Sequence, residues 1–205
     1  MLDKDIKINF VYEYSLEKTI LENISILAKL VSTLTTIDYK EILSSLSTNK
    51  NLIYINNNKL SSILDIHISN KYLINLRLNY YNKNSLIGSR DYFDKLVLKY
   101  SSTKLKIIQI NINVFDQKTE LYNYVQENIN ENTIYYLNTT QCLYNYNKNI
   151  IGKNKMVFWG ALIKNRNKDI ETEIASNILN SQEIEILKNN LNTFYNQIIE
   201  SPSKN

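Results

Sequence analysis

Hydrophobic and polar residues follow two different periods along this chain. Residues 6–14, IKINFVYEY, alternate and are rich in β-branched and aromatic side chains, which predicts a strand. The next segment, ENISILAKLVSTL, predicts a helix because its apolar residues recur at helical spacing: Ile24, Ile26, Leu27, Leu30, Val31 and Leu34. The apolar run at 52–55 is bounded by Asn and predicts a buried strand. The first part of the chain therefore predicts an α/β arrangement.

The middle of the chain is dominated by spacing of three to four residues. Leu73, Leu76 and Tyr80 predict one helix, and the apolar positions from Phe93 to Tyr100 predict another, with a break near Gly88. Residues 119–129, TELYNYVQENI, predict a further helix. Residues 107–114, IIQININV, are compatible with either a strand or one face of a helix.

The last part returns to an α/β pattern. Residues 156–163, MVFWGALI, form a compact apolar run that predicts a central strand. Residues 169–179 predict an amphipathic helix. The segment from 183 onwards is compatible with a short strand or with one long terminal helix.

Composition favours a globular protein of one domain, or one domain with an insertion. The chain has 205 residues, of which 43 % are hydrophobic and 21 % charged. A single cysteine, Cys142, excludes an internal disulfide and favours a reducing compartment. The first ten residues carry acids where a secretory signal needs bases, and no apolar run approaches the ~20 residues of a membrane span. These features predict a soluble cytoplasmic protein without membrane partners.

Charge is distributed unevenly along the chain. The net charge is only +4, but no acid lies between Glu131 and Asp169. The basic residues of this window are Lys148, Lys153, Lys155, Lys164, Arg166 and Lys168, and its aromatic residues include Tyr135, Tyr144, Phe158 and Trp159. Such a segment is suited to contact phosphates and bases. It is equally compatible with a solvated face whose aromatic residues are buried.

Sequence signatures of catalysis are missing. Gly152-Lys153 is not a phosphate-binding loop, because Asn147 replaces its first glycine and Asn154 its Ser or Thr. His67 has no partner cluster, and Cys142 has no second cysteine for a zinc site. Asp116 and Glu120 are four residues apart and are compatible with a shared hard cation or with an ordinary solvated helix face. The sequence therefore predicts a binding protein rather than an enzyme.

Several segments together carry a family resemblance. KINFVYEY is followed by a helix with the pattern acidic, x, x, Ser, then Ala, x, Leu, Val, at Glu22, Ser25, Ala28, Leu30 and Val31. Further matches follow in order at 51–57, at 65–84, at 113–125 through Phe115, Asp116, Thr119, Glu120 and Leu121, and at 153–187. In this collinear order the chain resembles the type II-A CRISPR adaptation protein family, often called Csn-two.

The resemblance implies a fold and a function. The fold is an α/β head built from 1–66 and 156–205, like a P-loop ATPase but nucleotide-inactive, with an inserted helical leg at 67–155. The function is non-enzymatic binding of double-stranded DNA ends, without sequence preference, by a homotetrameric ring. That ring supports spacer acquisition in antiviral defence, alongside the CRISPR integrase and the RNA-guided nuclease of a bacterial cell. Calcium is the implied cofactor, with Asp116 and Glu120 as candidate ligands, although only Asp116 matches cleanly.

The acid-free window gives the expected nucleic-acid contacts and an alternative function. The basic residues of the acid-free window, Lys148, Lys153, Lys155, Lys164, Arg166 and Lys168, are the expected DNA contacts. The alternative is an RNA-binding or scaffold subunit of a large assembly such as an organellar ribosome, in which the same window contacts RNA.

Overall fold

A mixed six-stranded β-sheet with helices on both faces organises the chain, which confirms the α/β class. The computed structural model describes residues 16, 19–48, 52–58, 61–79, 84–114, 122–150, 154–165 and 168–200. The strands are β1 (Leu52–Asn58), β2 (Ser61–Ile68), β3 (Tyr72–Asn79), β4 (Lys106–Asn113), β5 (Tyr124–Ile129) and β6 (Asn132–Asn138). The helices are α1 (Ile24–Leu34), α2 (Tyr39–Thr48), α3 (Asn84–Lys99), α4 (Thr139–Asn147), α5 (Lys155–Lys164), α6 (Lys168–Ser176) and α7 (Ser181–Glu200).

The strands lie in the order β1-β2-β3-β4-β6-β5. β1, β2 and β3 form an antiparallel meander, whereas β3, β4 and β6 run parallel to one another and β5 returns antiparallel to β6. Ser69 and Asn70 both adopt positive φ, 49° and 53°, in the tight turn between β2 and β3, as a right-handed twisted hairpin prefers. The helix α3 connects the parallel pair β3 and β4, as parallel pairing requires a crossover.

The main hydrophobic core lies on one face of the sheet. Even-numbered residues of β3 and β4, such as Ile74, Leu76 and Ile110, point to this face because side chains alternate along a strand. They pack in one cluster with apolar residues of α1, α2, α5 and α7. The opposite face carries a smaller apolar cluster beneath α3, centred on Leu73, Phe93 and Ile107.

Two segments that were expected to be helical are strands. Leu73 and Leu76 belong to β3, and Tyr124 and Ile129 belong to β5. In β3 the three-residue spacing of the leucines coincides with a stronger alternation, INLRLN, whose two faces are both buried. The open choice at 107–114 is resolved as β4. The helices expected at 24–34 and around Phe93 are confirmed, but α3 continues through Gly88, so the break expected there is wrong.

The apolar run MVFWGALI is helix α5, so the expectation of a central strand is wrong. A short run of this kind has no periodicity that separates a buried strand from a buried helix. Asn154 decides the outcome locally, because its side chain caps the helix by accepting a hydrogen bond from the Met156 N–H at 3.0 Å. Residues Val157 to Ile163 are all buried.

The expected division into a head and a helical leg does not match the sheet. Segment 67–155 contributes β3, β4, β5 and β6, and β2 pairs with β3 directly across the proposed boundary at 66/67. The central parallel strands therefore come from the segment that was expected to form the leg. The strand expected at 6–14 lies outside the described residues.

Candidate functional site

A row of polar side chains lies on the face of the sheet that α3 covers. Odd-numbered positions of β3 and β4 form the row, and the strand register places them side by side: Asn75 with Gln109, Arg77 with Asn111, and Asn79 with Asn113. Asp65 of β2 extends this row because it is the cross-strand partner of Asn75. We call these seven residues the polar row. All are buried, and the five amide side chains are fully so.

Hydrogen bonds connect the members of the row to one another and to α3. The Asn75 Nδ2 donates to Asp65 Oδ1 at 2.5 Å, and the Asn79 Nδ2 donates to Asn113 Oδ1 at 3.1 Å. The Gln109 Nε2 donates to the Ser89 carbonyl at 2.9 Å, and the Ser89 hydroxyl donates to Asn111 Oδ1. The second turn of α3 is therefore docked on the row by polar contacts rather than by apolar packing.

Six polar atoms of the row have no hydrogen-bond partner. Three are donors and three are acceptors: Arg77 Nε, Asn111 Nδ2, Asn113 Nδ2, Asn75 Oδ1, Asn79 Oδ1 and Gln109 Oε1. An unpaired buried group costs about 1–3 kcal/mol. Such a row is stable only if water or a ligand supplies the missing partners.

Arg77 carries the positive charge of the row. It is only 7 % exposed, its Nη1 donates weakly to the Gly88 carbonyl at 3.4 Å, and its Cζ lies 5.2 Å from the centre of the Tyr92 ring. None of the ion pairs in the described part of the chain involves Arg77. Burial lowers the pKa of Arg77, while Tyr92 and Asp65 act in the opposite direction. The guanidinium nevertheless stays charged, so among the described residues it is a buried cation without an ion pair, with the Asp65 carboxylate of the same row as an electrostatic neighbour.

The row lies at a position where α/β sheets bind ligands. β3, β4 and β6 are parallel, and Asn79, Asn113 and Asn138 are their last residues. Ligands of open α/β sheets bind outside the carboxyl ends of such strands. Helix α4 begins at this edge directly after β6, with Asn138 as its N-cap. The Lys164 ammonium also reaches this edge, where it donates to the Val114 carbonyl at 2.6 Å.

The expected DNA contacts are placed in different settings. Lys148 is exposed after α4, Lys155 is exposed at the start of α5, and Lys164 is half-buried at the carboxyl edge. Lys168 begins α6, whereas Lys153 and Arg166 lie outside the described residues. Of the six residues, the structure brings Lys164 to the edge where the polar row ends.

The aromatic residues of the same window mostly belong to the core. Tyr135, Phe158 and Trp159 are buried, and the Trp159 indole N–H donates to the Thr33 hydroxyl at 3.3 Å. Tyr144 is 54 % exposed. Of the two interpretations of this window, buried aromatics between solvated charges fits these positions better than an aromatic surface that stacks on bases.

The remaining candidates from the sequence do not form a second site in the described part of the chain. Asp116 and Glu120 lie outside the described residues, so the calcium site stays a prediction. No group of three or more His, Cys, Asp or Glu able to hold a metal ion occurs among the described residues. His67 contacts Tyr100 edge to face, with ring centres 6.3 Å apart. Burial raises the pKa of the Cys142 thiol to about 12.

The polar row is a site that sequence reasoning missed, although its signal was present. INLRLN and IQININ both place a polar residue at every second position. Two such segments, if read as neighbouring parallel strands, predict polar side chains in register on one face. The helical spacing of Leu73, Leu76 and Tyr80 overlaps this alternation in the first segment and predicts a helix there instead.

Comparison with known proteins gives no relative for this chain: no family model, no curated protein and no solved structure matches. In the described residues, no helix is long and apolar enough to cross a membrane.

Proposed function

We propose that the chain binds double-stranded DNA without cleaving it, and that the polar row takes a backbone phosphate at the carboxyl ends of β3 and β4. The observation that carries this proposal is Arg77, a buried guanidinium with an unpaired Nε and no ion pair to a described residue. Arginine matches the geometry of phosphate because its planar fork donates parallel hydrogen bonds.

The neighbours of Arg77 support phosphate rather than another ligand class. Asn111 and Asn113 each have an unpaired amide donor, and the Lys164 ammonium lies at the same edge. A phosphate offers several acceptor oxygens, so one group can satisfy donors from both strands. The acceptors Asn75 Oδ1, Asn79 Oδ1 and Gln109 Oε1 are left for water or for a hydrated cation that accompanies the phosphate.

Binding of this kind is independent of base sequence. Phosphate contacts fix position on the duplex and read no bases. The affinity should therefore fall with salt, with log K decreasing about 0.9 per phosphate neutralised for each tenfold rise in salt. The homotetrameric ring, the role in spacer acquisition, and the integrase and RNA-guided nuclease as partners remain predictions of the resemblance to the type II-A adaptation family.

The test is fluorescence anisotropy with a labelled linear duplex over a salt series. Arg77→Met should weaken binding about 10- to 100-fold, as expected for losing a charge-assisted hydrogen bond. Arg77→Lys should fall between Arg77→Met and the wild-type protein because it keeps the charge and loses the fork. Arg90→Met is the matched control, since Arg90 is on α3 and is already paired with Glu127 at 2.7 Å. Equal affinities for Arg77→Met and wild type would contradict the site.

Two further measurements separate this function from its competitors. Tighter binding of single-stranded or duplex RNA than of DNA would replace the proposal with the RNA-binding alternative. Cleavage of the duplex in Mg²⁺ or Mn²⁺ that is lost in Asp65→Asn would replace it with a nuclease, because Asp65 and the neighbouring amide oxygens would then hold a metal.

The ring is tested independently of the site. Light scattering after size-exclusion chromatography should give a mass near four times 24.1 kDa for a tetramer. A ring that enters at DNA ends should bind linear duplex far more tightly than closed circles. A monomer that binds both forms equally would contradict the ring and leave the phosphate site standing.

A further inference from the structure

A basic surface lies at the amino ends of β3 and β4, opposite the carboxyl ends where the polar row ends. It consists of five exposed lysines, which we call the lysine end: Lys71, Lys95, Lys99, Lys104 and Lys106. Lys71 lies in the turn between β2 and β3, and Lys106 is the first residue of β4. The Lys106 N–H donates to the Lys71 carbonyl at 2.8 Å, so the two strand starts are joined.

Local contacts hold the segment that presents these lysines. The Lys99 ammonium lies 5.1 Å from the centre of the Tyr100 ring, and Tyr100 packs edge to face on His67. After α3 the chain turns tightly, because both the N–H and the hydroxyl of Thr103 donate to the Tyr100 carbonyl, at 2.9 and 2.7 Å. The lysine end is therefore an ordered surface rather than a set of independent side chains.

Few ion pairs hold the lysine end among the described residues, and Glu131, directly before β6, is the exposed acid at the same end of the sheet. Lys71 is 3.5 Å from Glu41, but the ion pairs of the described residues include none of the other four lysines. Asp94 on α3 lies 3.6 Å from Arg90 instead, and Asp91 is one turn before Lys95 without an ion pair to it. Leu98 is 73 % exposed between Lys95 and Lys99. A cluster of like charges of this kind is stabilised by a polyanion.

We propose that the lysine end is a second contact for the DNA backbone, reached by the same duplex that contacts the polar row. This inference rests on the proposed function. α3 has 16 residues and spans about 24 Å at 1.5 Å per residue. A duplex advances about 3.4 Å per base pair, so the two contacts are separated by about seven base pairs.

Duplex length therefore distinguishes the second contact from the first. A duplex of 16 base pairs reaches both surfaces, whereas one of 6 base pairs reaches only one at a time. Lys104→Ala with Lys106→Ala should reduce the salt slope by about 1.8 for the long duplex, from two lost phosphate contacts. The same variant should leave the short duplex bound at the polar row nearly unchanged. Lys40→Ala with Lys188→Ala removes two exposed lysines elsewhere and is the charge-matched control.

The outcomes separate the inference from the proposed function. If Arg77→Met weakens binding while the Lys104/Lys106 variant behaves like the Lys40/Lys188 control at both lengths, the lysine end is not a DNA contact and the phosphate site stands. If the wild-type protein binds no duplex, both fail. If the Lys104/Lys106 variant loses binding to phosphatidylserine vesicles while its DNA affinity is unchanged, the surface with Leu98 contacts an anionic membrane and the inference is overturned.

Discussion

Glu183 connects α7 to α1 through a buried cluster of polar contacts. Its carboxylate accepts hydrogen bonds from the Ser25 hydroxyl at 2.6 Å, from the Asn180 N–H at 2.9 Å and from the Lys29 ammonium, and its side chain is 5 % exposed. Asn180 in turn accepts a bond from the Glu183 N–H at 2.9 Å, which completes a reciprocal cap at the start of α7. One residue thus anchors the terminal helix and caps it.

Glu183→Gln should destabilise the protein at neutral pH by about 2 kcal/mol, because a hydrogen-bonded charge is lost. Burial raises the pKa of Glu183, but the bonds from Lys29, Ser25 and Asn180 outweigh it and hold the pKa below its ordinary value. The stabilisation is therefore present above the unfolded-state pKa, about 4.3, and is lost as the pH falls through the lower folded-state pKa. Urea unfolding of Glu183→Gln and of the wild-type protein, at pH 7 and at pH 3, measures the difference in their free energies of unfolding.

Glu185→Gln is the control for this residue, since Glu185 is exposed on the same helix. It should change the free energy of unfolding by less than about 0.5 kcal/mol at both pH values. A Glu183→Gln deficit that is as large at pH 3 as at pH 7 would show that packing, and not the ionised carboxylate, is what the substitution removes.

Gly160 and Gly88 differ in how closely other residues pack against them. A Cβ at Gly160 of α5 would overlap the Cβ and Sγ of Cys142, so this glycine lets α4 and α5 approach closely. A Cβ at Gly88 of α3 would meet nothing within 4 Å. The same substitution therefore tests close packing at one helix and helix propensity at the other.

Gly160→Ala should lower the free energy of unfolding by about 1–3 kcal/mol, as overpacking does in a filled core. Gly88→Ala should raise it by up to about 1 kcal/mol, because alanine is the better helix former and has room. Chemical denaturation of both variants checks the pair. A stabilised Gly160→Ala would mean that Cys142 can move away from α5.

At the element level, the sequence predicts a helix or strand correctly where its hydrophobic residues follow one clear spacing. It predicts the wrong element where helical and strand spacings overlap. Helix α1 was predictable because six apolar residues recur at helical spacing and Asn23 caps its start. Strand β3 was missed because the three-residue spacing of Leu73 and Leu76 overlaps the alternation of INLRLN. Helix α5 was missed for the related reason that an apolar run of eight residues fits either element.

At the level of the whole molecule, strand pairing determines both the domain division and the candidate site, and neither follows from the order of elements along the chain. The expected boundary at 66/67 falls between β2 and β3, which pair along their whole length. The candidate site arises from the same long-range register, since Arg77 and Asn111 are neighbours only because β3 and β4 pair in parallel. A single sequence supplies the polar alternation of each segment, but the pairing that aligns them is a tertiary property.

The polar row also predicts a conflict between stability and binding. A site with unpaired buried groups is maintained at a thermodynamic cost, and substitutions that remove such groups commonly stabilise a protein while they impair its function. Arg77→Met should raise the free energy of unfolding by about 1–2 kcal/mol, because a buried cation that makes no ion pair with a described residue is replaced by an apolar side chain of similar length. Arg90→Met, which removes a partly exposed ion pair, should change it by less than about 1 kcal/mol.

Measuring both properties on Arg77→Met separates a binding role from a structural one. If Arg77 holds a phosphate, the variant is more stable and binds DNA more weakly, and adding duplex raises the melting temperature of the wild-type protein more than that of the variant. If Arg77 is instead a structural link between β3 and α3 through Tyr92 and the Gly88 carbonyl, stability and binding fall together. The sign of the stability change therefore distinguishes a ligand site from a buried polar contact that only joins two elements.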